Sequence, residues 1–266
     1  MMKGRVLIIA GSDSGGGAGI QADIKTVTML DAFAMTAVTA LTAQNTEGVF
    51  GVLPIAPNFI RQQIEIVLDD IGADALKTGM LHDAAVIETV AAVIAERAAA
   101  VPLVVDPVMV AKGGAPLIEP GAIDALKRLL VPRAAVLTPN LPEAEILAGH
   151  TIDNLAVMQT TAGELLGLGC QAVLLKGGHL PGDTVYDVLA TGSGLRVCDS
   201  PRIDSRHTHG TGCTLASAIA ASLAQGLAIE PAVERARLYV QRAIASAPGL
   251  GHGHGPLNHA HPLRSH

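Results

Sequence analysis

Short apolar runs recur along this chain, and each stops at a glycine or a polar residue before a helical period begins. Arg5–Ala10 leads into the glycine-rich stretch 11–19, and residues 20–30 then carry helical spacing. Leu103–Val105 ends at Asp106, residues 135–137 end at Thr138-Pro139-Asn140, and residues 172–176 end in Lys176 before Gly177-Gly178. Between them apolar residues fall on single helical faces: Ile60, Ile64, Val67, Leu68 and Ile71 after Pro57; Val86, Val90, Val93 and Ile94; Ile123, Leu126, Leu129 and Leu130. Residues 155–168 predict another helix, and Leu215, Ile219, Leu223 and Val233, Val240, Ile244 mark two more. Residues 35–42, 49–55 and 75–77 read as further strands, and 185–190 with 195–198 as a hairpin around 191–194. Buried strands alternating with amphipathic helices require a mostly parallel sheet covered on both faces. No Pro/Ser-rich linker and no internal repeat divides the 266 residues, so a single α/β domain spanning 1–266 is expected.

In open sheets of this kind ligands bind beyond the carboxyl ends of the strands. The residues just past the strands are therefore the candidates: the loop at Gly11, Gln44, Thr78 to Met80, Asp106, Asn140 and Lys176. Composition narrows what they could meet. Net charge −6 gives no basic field for nucleic acid, and three Phe, two Tyr and no Trp leave almost no stacking surface. No run approaches the ~18 apolar residues of a membrane span. The apolar stretch after Arg5 is too short for a signal peptide and lacks a small-residue cleavage site, so the expected compartment is the cytoplasm. Three cysteines without CxxC spacing argue against a disulfide framework or a zinc site.

The stretch Gly-Ser-Asp-Ser-Gly-Gly-Gly-Ala-Gly (11–19) matches neither GxxxxGK[ST] nor GxGxxG. It points to close backbone approach to a ligand, or to an anion cradled by its amides. Asp23, one turn into the next helix, reads as a dipole partner or a site residue. His209-Gly210-Thr211-Gly212-Cys213 opens a helix, where free amides suit a phosphate or a developing oxyanion and a thiol pKa is commonly lowered. Cys170 and Cys198 look like small buried residues. Glu143 could hold water on Mg²⁺, or Asn140-Leu141-Pro142-Glu143 could be a plain helix start. Lys176 at the end of a buried strand needs an anion, and Asp106 suits a metal, a proton or a cap. The His-rich end of the chain (252, 254, 259, 261, 266) reads as a surface loop and terminus.

Taken in order, the blocks Ala-Gly-Ser-Asp…Gly-Ala-Gly-Ile-Gln-Ala-Asp-Ile-Lys-Thr (10–26), Thr-Ala-Gln-Asn-Thr (42–46), Lys-Thr-Gly-Met (77–80), Thr-Pro-Asn-Leu-Pro-Glu (138–143), Lys-Gly-Gly-His (176–179), Thr-His-Gly-Thr-Gly-Cys (208–213) and Gly-His-Gly-Pro-Leu-Asn-His (253–259) span nearly the whole chain. Together they resemble the hydroxymethylpyrimidine/phosphomethylpyrimidine kinases of thiamine biosynthesis, in the ribokinase-like superfamily. That resemblance implies a three-layer α/β/α sandwich with a mostly parallel central sheet. It also implies ATP and Mg²⁺, a small-molecule partner and a homodimer. The expected activity is phosphorylation of 4-amino-5-hydroxymethyl-2-methylpyrimidine and then of its monophosphate.

By the same resemblance Gln44 would read the pyrimidine edge, Asp23 and the backbone at Gly11 would approach the hydroxymethyl group, and Met80 and Val108 would wall the ring. Cys213 stands where many sugar kinases of the superfamily carry an Asp base, and would act as base or as a positional group. The amides from Gly210 to Cys213 would hold the transferring phosphoryl group, with Thr211, Gly212, Asn140 and Lys176 on ATP and with Asp106 and Glu143 organising Mg²⁺. The family usually reads Asp-Pro-Ser-Gly-Gly at the first loop, whereas this chain has Asp13-Ser14-Gly15-Gly16-Gly17, which predicts a looser loop. Rival readings are a pyridoxal kinase of the same branch, a regulator that kept the pocket without the chemistry, and a thiol hydrolase using Cys213.

Overall fold

The computed structural model describes residues 3–110, 114 and 117–264. In chain order the elements begin with β1 (Arg5–Ala10), α1 (Gly19–Met29), β2 (Phe33–Val38), β3 (Ala40–Gln44), β4 (Val49–Pro54), α2 (Pro57–Asp70) and β5 (Ala75–Thr78). They continue with α3 (Ala84–Arg97), β6 (Leu103–Val105), α4 (Pro120–Ala125), β7 (Ala134–Leu137), α5 (Leu141–Ala148), α6 (Leu155–Leu166) and β8 (Ala172–Leu175). The hairpin β9 (Thr184–Thr191) and β10 (Gly194–Pro201), then α7 (Thr211–Ala224) and α8 (Ile229–Ala245), complete the set. One eight-stranded sheet has the order β10-β9-β8-β7-β6-β5-β1-β2, parallel from β2 to β8 and antiparallel only at the β9/β10 edge.

Alternation along the strands explains the layers. In β1, Val6, Ile8 and Ala10 pack with residues of α1, α7 and α8, while Leu7 and Ile9 join residues of α2, α3 and α6 on the opposite face. Each fully buried Leu or Ile contributes about 1.5–3 kcal/mol, so the two cores hold the helices on as two outer layers. The helices start where local chemistry favours it. Asp83 caps α3 through the Val86 amide, Asn154 caps α6, and Pro57 opens α2 with its φ already set.

Two expectations are corrected. Residues 35–42 are not one strand: the chain leaves the main sheet at the buried Thr39, whose hydroxyl donates to the Met80 carbonyl and whose own carbonyl accepts from Ile55. Past Thr39 the chain builds a separate two-stranded antiparallel flap, β3–β4. The helical face of Ile123, Leu126, Leu129 and Leu130 is as expected, with its second half in a π-type turn over Leu126–Leu130. The His-rich end is not a surface loop throughout. His209 and Pro256 form a bridge, Leu257 and His259 are buried, and His259 meets the Thr214 hydroxyl at 3.0 Å. His266 lies outside the described residues.

Candidate active site

At the carboxyl edge of the sheet a cavity of about 670 Å³ opens between the strand ends, the first turn of α7 and the flap. Gly11, Gln44, Met80, Asp106, Val108, Asn140, Glu143, Lys176, Gly210, Thr211, Gly212 and Cys213 all line it. These are residues from one end of the chain to the other, brought together because parallel strands deliver their C-terminal ends to one edge.

The α7 end is built for an anion. Gly210 is the N-cap with φ +82°, and a Cβ there would come within 1.8 Å of the Gly17 carbonyl oxygen, so only glycine lets the two loops touch. The amides of Gly212 and Cys213 belong to the first turn and have no intrahelical acceptor, and the helix dipole adds positive potential there. Cys213 does not follow the expected direction. Burial pushes its thiol up to about 12, against the pull of Lys77 and the Gly19 amide. In the unliganded protein it is an S–H, and the helix end alone does not make it a thiolate.

Beneath that turn lies a row of buried charges. Alternation in β5 puts Lys77 beside Ile8 and Val104, on the α1/α7 face. Its ammonium, with no solvent access, sits 3.0 and 2.9 Å from the two oxygens of Asp23, which is equally inaccessible and accepts from Ser217 of α7 at 2.7 Å. Burial pulls the Lys77 pKa down, but attraction to Asp23 outweighs it and leaves the pKa above its ordinary value. The Asp23 carboxylate, expected near the hydroxymethyl group, is here bonded to Lys77 and Ser217, and Lys77 lines the cavity beside it. Sequence reasoning missed Lys77, although a Lys in an otherwise apolar strand before a glycine is the signal that singled out Lys176. Lys176 finds its anion in Asp106, 3.2 Å away, and the Thr138 hydroxyl donates to the same Asp106 oxygen.

The glycine loop also departs from expectation. Asp13 occupies the amide cradle itself, accepting from Gly15, Gly17 and Ala18 at 2.8–3.0 Å, and pairs with His209 at 2.8 Å. Burial raises the Asp13 pKa, yet His209 and those amides outweigh it and hold the carboxyl below its usual range. The loop is not loose at Ser14. That hydroxyl donates to the Gln44 carbonyl at 2.7 Å and accepts the Gln44 amide at 2.8 Å, tying the loop to the end of β3 next to the flap turn. The Gln44 side-chain nitrogen lies 3.4 Å from His209 Nε2, at the cavity wall.

At the other end Asn140 and Glu143 do both things considered for them. They form a capping box on α5, with Glu143 accepting the Asn140 amide and Asn140 accepting the Glu143 amide, and both line the cavity. Burial pushes Glu143 up to about 7, partly offset by Lys176. Arg237 of α8 pairs with Asp187 of β9 at 2.8 Å, and both face the cavity. Fifty residues separate them, and no motif announces the pair.

This arrangement, with its helix-end amides, a buried and a partly buried lysine and a carboxylate pair, agrees with comparison to known proteins. The description "Phosphomethylpyrimidine kinase" fits residues 13–258. The chain belongs to the phosphomethylpyrimidine kinase family. It is 50% identical over 256 residues to a hydroxymethylpyrimidine/phosphomethylpyrimidine kinase of Bacillus subtilis, covering 96% of this chain and 94% of that one. A thiamine biosynthesis bifunctional protein of Geobacter sulfurreducens is 53% identical over 97% of this chain, which spans only 52% of that longer relative. Among solved structures, an ADP complex of Bacillus subtilis pyridoxal kinase superposes with a TM-score of 0.91 at 39% identity, over 99% of this kinase and 100% of that chain. The ribokinase-like sandwich expected from the sequence is the fold of this kinase.

Proposed function

We propose that this kinase transfers the γ-phosphoryl group of ATP to 4-amino-5-hydroxymethyl-2-methylpyrimidine and then to its monophosphate, in thiamine diphosphate biosynthesis. The observation that carries the reading is the α7 N-terminus set over Lys77, Asp106 and Lys176 and facing the Gln44 side of one cavity. Gln44 offers an amide donor and acceptor to an aminopyrimidine edge, and Met80 and Val108 supply the apolar, polarizable walls a heterocycle needs. Amides of Gly212 and Cys213 stabilise charge on the phosphoryl group in flight, and Lys176 attracts the phosphate oxygens. With its thiol held so high, Cys213 serves to orient the acceptor hydroxyl; positioning and charge stabilisation carry phosphoryl transfer.

Asp106 and Glu143 are the residues that would hold Mg²⁺. They fit an ion delivered with the nucleotide rather than a preformed cage. Among the described residues no group of three His, Cys, Asp or Glu gathers at one point, and one oxygen of each carboxylate is already bonded. Mg²⁺ keeps several waters and takes phosphate oxygens, and when bound it neutralises charge on the transferring phosphates. A homodimer and a cytoplasmic location belong to the same reading. Phe50 and Leu53 of the flap, 73% and 62% exposed, give a dimer an apolar face, and no helix among the described residues is long and apolar enough to cross a membrane.

The likeness to a pyridoxal kinase supports a second reading, in which pyridoxal is the acceptor. ATP consumption with the pyrimidine and with pyridoxal, run side by side with Mg²⁺ and with products resolved, decides between them. Two successive phosphates on the pyrimidine are expected. Turnover of pyridoxal alone would overturn the substrate assignment.

A further inference from the structure

One sequence block has no part in the mechanism above: the glycine- and histidine-rich stretch near the end of the chain. It runs across the flap and the α7 loop. At the flap tip, between β3 and β4, the Gly253 amide donates to Thr46 Oγ1 at 3.2 Å and the His254 amide donates to the Thr46 carbonyl at 2.8 Å. The fit leaves no room for side chains. A Cβ on Gly253 would lie 2.1 Å from the Thr46 carbonyl oxygen, and one on Gly251 would lie 2.3 Å from Thr46 Oγ1 and 2.4 Å from its Cγ2. Two residues further on, the Gly255 carbonyl accepts the His209 amide at 3.1 Å, and Pro256 bridges to His209. The same short segment therefore grips the tip of the flap that carries Gln44 and the residue that meets both Gln44 and Asp13.

We propose that residues 251–256 form a strap whose work is to position the flap against the His209 step, so that Gln44 meets the pyrimidine edge in a fixed place. The proposal rests on the pyrimidine reading for what Gln44 contacts, while the grip itself is independent of it. Ser14 ties the Gln44 backbone at the end of β3, and the strap ties the turn two residues further on. Released at the tip, β3–β4 is a two-stranded ribbon with most of β4 exposed, and such ribbons are marginal alone. Gln44, left with the Ser14 tie alone, would then sample more positions, and substrate binding would weaken while the nucleotide end of the cavity stayed as it is. Thr46, Gly251 and Gly253 are positioning residues, since none of them lines the cavity.

The test is a double-mutant cycle on the full chain between Gly251→Ala and Thr46→Gly. Gly251 has φ +82°, so Ala carries the same backbone strain in both backgrounds and that cost cancels. Thr46→Gly removes all three atoms that the new Cβ would strike. Gly251→Ala is expected to raise KM for hydroxymethylpyrimidine at least tenfold with KM for ATP within twofold. Thr46→Gly in the same chain should bring the pyrimidine KM back to within threefold of its own background. Hydrogen exchange of residues 40–54 should rise with Gly251→Ala and fall back in the double variant. An unchanged pyrimidine KM and unchanged flap exchange in Gly251→Ala, or an equal effect in both backgrounds, overturns the strap. If the unmodified enzyme does not phosphorylate the pyrimidine, the functional reading fails and the exchange measurement alone judges the strap. Should Gly251→Ala not fold, Thr46→Val takes its place: it keeps the bulk, deletes Oγ1, and must speed flap exchange at least threefold for the proposal to stand.

Discussion

Replacing Lys77 with Met removes the ammonium from the row of charges under α7 while keeping an unbranched chain of similar reach. Asp23 then keeps only the Ser217 hydroxyl as a side-chain donor, in a place solvent does not reach. Breaking a buried ion pair by deleting one partner costs about 3–5 kcal/mol, because the remaining charge is left uncompensated. In a domain of this size 1 kcal/mol moves Tm by roughly 2–4 °C, so Lys77→Met should melt about 6–20 °C below the parent. Asp23→Asn alone strands the ammonium and should cost a similar amount. The double variant carries no charge at the site, keeps an oxygen for Ser217, and leaves only the new amide donors to satisfy, about 1–3 kcal/mol. It should therefore be more stable than either single variant. The pH dependence of Lys77→Met has a definite sign. Burial pushes the Asp23 carboxyl up, and losing the ammonium pushes it further, so its folded-state pKa exceeds the unfolded one. The folded variant binds the extra proton, and its deficit should shrink as pH falls into the carboxylate range and grow above it. Thermal melts of the ligand-free protein at several pH values measure all of this. Single variants that melt within 2 °C of the parent, or a double variant as unstable as the sum of the two, would refute the buried-pair account.

Three further outcomes are expected. Cys213→Ala should lower kcat about a hundredfold with little change in KM for ATP, and in the free enzyme alkylation of Cys213, tracked by mass spectrometry, should climb tenfold per pH unit toward about 12 with no plateau near neutrality. For Glu143, held near 7 in the folded chain against 4.5 as a free side chain, the folded state binds the additional proton between those values. Stability should then fall as pH rises through that window, by up to roughly 3 kcal/mol, and Glu143→Gln should flatten that part of a denaturation-versus-pH curve. Gly210→Ala forces a Cβ into the Gly17 carbonyl and displaces the first turn of α7; single-turnover phosphoryl transfer should fall by more than a hundredfold, and a rate within threefold of the parent would show that the turn tolerates the shift.

The layered fold was legible because its signal is local: apolar strands and helical periods arise from residues within a few positions of one another. The lining of the cavity was legible for a related reason, since parallel strands must present their carboxyl ends together, and Asp106, Asn140 and Lys176 each stand at such an end. Pairing could not be read. Asp23 read only as a dipole partner or a site residue because its partners, Lys77 and Ser217, are on other elements, and Asp13 drew no separate reading until its own loop folded around it. The direction of the Cys213 shift could not be read for the same reason: a helix end lowers a thiol pKa, burial raises it, and only the packed structure says which is larger. The chain break at Thr39 was hidden because residues 35–42 alternate well on both sides of it.

The bonds that define the site join residues very far apart in the chain: 194 positions from Asp23 to Ser217, 196 from Asp13 to His209, and 207 from Thr46 to Gly253. Contacts of that span close the largest loops and tend to form slowly. During refolding, secondary structure and much of the sheet can therefore return before any substrate is held, and recovery of activity should lag recovery of far-ultraviolet circular dichroism. A ligand that needs the finished site binds only the last species on that path. Its stabilising effect then grows with the logarithm of its concentration, undiminished by binding to earlier states.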